Sequence, residues 1–295
     1  MNGSRACLGF HAEVIRDGWS RRSKAALLAL LALLLLAVSC GKYATDHPDY
    51  GKIIALTPDW SLRGEGVDVP AGFTVEVGDY TATLPGTTGS VDNLFTPGNY
   101  FMRVYNPASG ITVKDGVATA DYTAGNPDWF FTGTDSLRID KDRDYSLAVA
   151  MRQQVRSLTL EIEVTGAAAD RLASIDATLS GVAGAWRVDT DRPSGIGVTD
   201  AFRFAPATGG YWATVRLLGI TGDEQTLSLT LHFVDNNPVP CTVVSDLSSR
   251  LAPFNDDKRT PMALSSILAV TPEQGSLSTT ISDWALGANI EGIAE

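Results

Sequence analysis

The sequence predicts an all-β fold, two antiparallel β-sandwiches in tandem behind a leader that the mature protein lacks. Three observations carry that reading. After residue 50, apolar and polar residues alternate with period two; turn clusters separate these segments at sandwich spacing; and helical periodicity is scarce.

The leader is set aside first. Ala25–Val38 is a run of 14 apolar residues preceded by Arg21, Arg22 and Lys24. A spanning helix takes roughly 20 residues, so the run fits an export signal better than an anchor. It ends at Leu36, Ala37, Val38, Ser39 and Cys40. Bacterial lipoprotein signals end in such a box of small and aliphatic residues, and the cysteine is then acylated and becomes the new N-terminus. Ala37 stands where Leu is commoner. The expectation is a signal peptide over 1–39, a palmitate-type lipid on Cys40 holding the chain to the outer membrane, and a tether over 40–50. The competing reading is an ordinary signal peptide with a cysteine near its cut.

Composition excludes several classes. Without residues 1–39 the chain loses five Lys/Arg and two acids, leaving 18 basic and 32 acidic residues and a formal charge of −14. Phosphate binding runs on clustered Lys and Arg, so nucleic acid is not an expected partner. Only Cys40 and Cys241 remain beyond the leader, which is neither a disulfide framework nor a metal cluster. Cys241 reads as a buried structural thiol.

The strands follow in order. In "SLTLEIEVTG" (157–166), Leu158, Leu160, Ile162 and Val164 alternate with Thr159, Glu161 and Glu163, which makes a half-buried strand. "TLSLTLHFVD" (226–235) repeats the pattern, as do "FTVEV" (73–77) and "YFMRVY" (100–105). "ATVRLLGI" (213–220) and "TTISDWAL" (279–286) follow it more loosely. "PGTTGS", "NPASG", "DRPSG" and "DNNP" supply turns. Short helices are expected in 167–175 and 245–254. The absence of βαβ alternation speaks against parallel sheet. A boundary near 150–156 gives sandwiches over 51–152 and 153–295, each nearer the usual sandwich size of about 100 residues than one large domain.

No enzyme is expected. Beyond residue 40 the only histidines are His47, in the tether, and His232, on the polar face of a strand. Nucleophilic catalysis needs a base beside the nucleophile. Glu161 and Glu163, about 6.6 to 7 Å apart at the backbone, have the spacing of an inverting glycosidase but lie on an open polar face. Asp140, Asp142 and Asp144 alternate like the start of a calcium loop, yet Tyr145 stands where the loop needs Gly and Met151 where it needs Glu. No catalytic residue, metal or cofactor follows. Trp129, Phe130, Tyr211 and Trp212 are either core aromatics or a platform for sugar rings.

Six segments in order, "HPDYGKIIALTPDWS" (47–61), "TPGNYFMRVYN" (96–106), "AMRQQVRSLTLEIEVTG" (150–166), "IDATLSGVAG" (175–184), "VRLLGI" (215–220) and "TISDW" (280–284), resemble the FimB-like fimbrillin-associated lipoproteins of Bacteroides-type bacteria. The resemblance implies two transthyretin-like sandwiches in a surface lipoprotein, an anchor or accessory subunit of fimbriae, with pilin subunits as partners through β-strand complementation. It also implies that shaft subunits lose an N-terminal strand after an arginine, whereas an anchor keeps its own. Arg63 is then a loop residue. The C-terminal segment, with Ile281, Trp284, Leu286 and Ile290, is either a donor strand or an ordinary last strand with a frayed tail. A glycan-binding outer-membrane lipoprotein is the alternative function.

Overall fold

The computed structural model describes residues 49–273 and 276–287. Its strands are β1 (Gly51–Asp59), β2 (Gly72–Val77), β3 (Tyr80–Pro85), β4 (Leu94–Phe95), β5 (Gly98–Tyr105), β6 (Ile111–Lys114), β7 (Val117–Ala120), β8 (Phe131–Ile139), β9 (Arg143–Ala150) and β10 (Arg152–Gln153). They continue as β11 (Arg156–Thr165), β12 (Leu172–Arg187), β13 (Arg192–Ala207), β14 (Gly210–Leu217), β15 (Thr226–Phe233), β16 (Cys241–Asp246), β17 (Met262–Glu273), β18 (Ser276–Ile281) and β19 (Ala285–Leu286). One short helix, α1 (Ser248–Leu251), runs into a 3-10 turn at Ala252–Asn255.

Two apolar clusters form because the alternating strands each turn one face inward. A three-stranded sheet, β4–β1–β9, and a five-stranded sheet, β10–β8–β5–β2–β3, share a core that includes Ile53, Leu56, Phe73, Val75, Val104 and Phe131. The second core lies inside the path β16–β15–β12–β13–β14–β11–β17–β18. There β11 sets Leu158 opposite Val215 and Leu160 opposite Ala213, while β15 buries Leu227, Leu229 and Leu231 completely. Each fully buried Leu contributes about 1.5 to 3 kcal/mol relative to exposure. The alternation read from 157–166 and 226–235 is therefore the core pattern itself.

The structure departs from the sequence reading in three places. Two strand pairs are parallel: β1 runs alongside β9 and β11 alongside β17. Each joins an early and a late strand of its core, and the crossover is made through the facing sheet instead of through a helix, so no βαβ signature exists to be read. The segment 167–175 makes only a 3-10 turn at Ala169–Arg171. Leu172 and Ile175 are drawn into the second core and begin β12, which pairs with β15. Cys241 is half-buried, not buried, because it starts the edge strand β16, with Sγ 3.7 Å from Thr279 Oγ1.

One hairpin crosses between the cores. β6–β7 precedes β8 in sequence, yet β7 pairs with β12, and Ala118, Ala120 and Tyr122 belong to the second cluster.

A polar junction ties the two clusters together where "RQQ" leaves β9. The Gln153 side chain accepts from Gly64 N at 2.8 Å and donates to the carbonyls of Val155 and Lys258. Lys258 Nζ donates to Gln154 Oε1 at 3.2 Å and to Leu218 O at 2.9 Å, and lies 3.1 Å from the Trp186 ring centroid. Burial pushes its ammonium down to about 7. Nearby, Arg103 grips Asp189 through two hydrogen bonds of 2.5 and 2.8 Å, and the arginine in turn holds the Asp189 carboxyl below its usual range.

Candidate assembly and recognition surfaces

The first strand is built into its sheet on both sides. β1 pairs in parallel with β9 from Gly51 to Asp59, and its other edge meets β4 and then the loop before it: Leu56 N donates to Gly89 O at 2.8 Å and Val91 N to Ile53 O at 3.1 Å. Ile53 and Leu56 have no exposed surface, and Trp60 stacks edge-on against Phe131 at 5.6 Å. The strand ends where Asp59 accepts from Ser61 N and caps a 3-10 turn. Arg63 then folds back, donating to Val67 O at 2.9 Å and to Trp60 O at 3.2 Å, which fixes the loop that follows the strand.

Among the described residues the last strands are laddered on one edge only, and β18 touches β16 on the other through Thr279 and Cys241. β18 pairs with β17 from Glu273↔Ser276 to Leu268↔Ile281, and β19 resumes the same edge with Leu264↔Leu286. Between them Ser282 bridges Ser266 and Ile267 while Trp284 drops into the second core, 3% exposed. Its indole N–H has no partner among the described residues, and neither has that of Trp60. Ile281 packs half-buried on the core and Leu286 is 66% exposed. Of the predicted donor residues, Ile290 lies outside the described residues, as do Cys40, the signal peptide and His47.

The remaining predicted residues separate. Glu161 lies on the outer face of β11, level with Trp212 on one side and Ser265 on the other. His232 Nε2 is 2.9 Å from Asp176, which also pairs with Arg203, so the polar face of β12, β13 and β15 carries a cross-strand charge cluster. Asp140 sits between Arg138 and Arg143 at the β8–β9 turn. No three His, Cys, Asp or Glu side chains converge on a metal-sized site among the described residues. The aromatics do not form one platform: Phe130 is buried, Tyr211 half-buried with its hydroxyl on Leu172 O, Trp212 half-buried on the outer face of β14, and Trp129 half-buried at a groove.

Sequence reasoning missed the Gln153–Lys258 junction. Its only signals are two adjacent glutamines after a strand and one lysine inside the charged run "NDDKRT", which reads as an exposed loop.

No family model and no curated protein matches the sequence. Its fold, however, has solved relatives. The chain is similar to a candidate adhesin from Bacteroides ovatus with a TM-score of 0.56 and 16% identity, over 68% of this chain and 84% of that one. A candidate adhesin from Bacteroides thetaiotaomicron gives 0.54 and 13% over 82% and 98%. The fimbrial anchor protein Mfa2 from Porphyromonas gingivalis gives 0.51 and 11% over 80% and 98%. At these identities the likeness is one of fold.

Proposed function

We propose that this chain is a non-enzymatic lipoprotein of the cell surface, held to the outer membrane by the lipid on Cys40, that anchors a fimbria as a FimB-like subunit. The single observation that carries the reading is the first strand, seated between partners on both sides with Ile53, Leu56 and Trp60 in the core. A subunit that keeps its own N-terminal strand fills the groove that a shaft subunit would open. On this reading the chain is an end, not a link. The fold shared with the anchor Mfa2 and with candidate adhesins supports the same role.

Attachment to the pilin runs through strand complementation, with the C-terminal segment as donor, because an extended segment bonded on one side can pair with an open sheet edge. Two lipid signals or more are needed for stable membrane attachment, which a bacterial acylated cysteine supplies. Cys40→Ala should move the protein to the soluble fraction and release fimbriae from cells, read by fractionation and by pilin in the medium. A Cys40→Ala chain that stays membrane-bound with cell-attached fimbriae would sink the proposal. Pull-down of the intact lipoprotein should bring down a pilin, and the yield should fall when residues 276–295 are removed.

A further inference from the structure

We propose that the groove beside Trp129 binds a neutral sugar ring. It lies between the loop entering β2, the end of β3 and the segment before β8, and has a volume of about 540 Å³. That falls within the roughly 300 to 1,000 Å³ typical of small-molecule sites. Its walls are Pro70, Leu84, Pro85 and Pro107, which offer rigid apolar surface. Trp129 forms one side.

The tryptophan is held in place from two directions. The Arg216 guanidinium lies 5.4 Å from its ring centroid, and its backbone carbonyl accepts from Asn106 Nδ2 at 2.9 Å. Asn106 is buried and also accepts from Phe131 N at 2.7 Å, so the platform is locked to β8. Two carboxylates rim the groove. Asp128 is tethered by Arg216 at 3.6 Å and by Ser109 N at 3.3 Å, whereas Asp68 is exposed with no partner among the described residues.

This chemistry selects its ligand. An indole face takes the C–H face of a pyranose, and carboxylates accept from its hydroxyls. Two carboxylates and a net charge of −11 disfavour an anionic ligand. Arg216 already sets one cation over Trp129 and against Asp128, which lowers the attraction of the groove for a further cation such as a basic peptide. The Asn106 amide is spent on Trp129 O and Pro107 O and the Thr83 hydroxyl is engaged with Thr74, which leaves the Trp129 indole N–H as the side-chain donor of the groove, for a sugar oxygen to accept from.

The inference stands on the groove alone and is independent of the fimbrial reading. The test uses the intact lipoprotein in a sugar-free detergent, probed against immobilised lactose, maltose and cellobiose. Saturable binding to at least one is expected, weakened at least tenfold by Trp129→Ala and several-fold by Asp68→Ala, and unchanged by Trp212→Ala. Asp68 is exposed, so its variant keeps the test valid if Trp129→Ala misfolds, as circular dichroism would reveal. The proposal is overturned by no saturable binding to any of the three. Wild-type binding in Asp68→Ala and in a folded Trp129→Ala, or a proline-rich peptide binding in place of the sugars, would overturn it equally.

Discussion

The first strand and the last two strands both lie at chain ends, yet they are held in different ways. β1 has hydrogen-bonded neighbours on both edges and, with the turn that follows it, sets Ile53, Leu56 and Trp60 in the first core. Among the described residues β18 and β19 have a ladder partner on one edge only, and Trp284 between them plugs the core while Leu277 and Ile281 pack half-buried against it. On the proposed strand complementation, the number of bonded edges and not the position in the chain separates the two ends. A strand bonded twice can leave only by opening the sheet, whereas one bonded once can peel away.

The largest expected effect comes from removing each end. A chain beginning at Gly64 should lose cooperative unfolding of the first core, because Ile53, Leu56 and Trp60 leave together. A chain ending at Gly275 should still melt cooperatively at a lower temperature, both read by calorimetry. If the two truncations melt alike, the comparison fails.

Single substitutions sharpen it. Leu56→Ala should cost about 3.5 kcal/mol in denaturant unfolding, the middle of the range for a fully buried leucine. Trp284→Ala should cost slightly less, about 3 kcal/mol, the low end of the range for a buried tryptophan, since the edge can close over the gap. Trp284→Phe should come within about 1 kcal/mol of wild type, because it keeps a ring in the core and removes an unpaired N–H.

Two buried titratable groups, Asp200 on β13 and Lys258 at the junction, should give stability a minimum near neutral pH. Burial pushes Asp200 up to about 6, so the folded state binds the extra proton between 3.8 and 6 and loses stability as pH rises through that window. Burial holds Lys258 down at about 7 against an ordinary 10.5, so the unfolded state binds the extra proton there and stability rises from pH 7 upward. Urea unfolding across pH 4 to 9 should show the dip. Lys258→Met should flatten the alkaline limb and Asp200→Asn the acidic one.

The smallest effect is expected on the polar face of the second core. Arg203→Ala should leave the melting temperature within measurement error, since the Arg203–Asp176 pair is solvent-exposed.

Local pattern was legible. The strands at 157–166 and 226–235 could be read because the face that alternates in sequence is the face that packs. β12 and β13, each 16 residues long, were not legible, because their register shifts at glycine-containing stretches and no single alternation runs through them. Gly195, at φ +77°, shows the reason: beside it the ladder slips, and Ile196 is left 88% exposed inside a strand. The candidate sites were less readable still. Trp129 stood out as one of three adjacent aromatics, but nothing in "DWFF" separates the groove tryptophan from the buried Phe130 one position on.

The sequence by itself determined the all-β class and the face of each regular strand, because each is written within a dozen neighbouring residues. Tertiary structure alone decided that β1 runs parallel to β9, that hairpin β6–β7 joins the second core, and that Gln154 meets Lys258. Those contacts join residues tens to more than a hundred positions apart, and which of them forms depends on how whole sheets close over their cores.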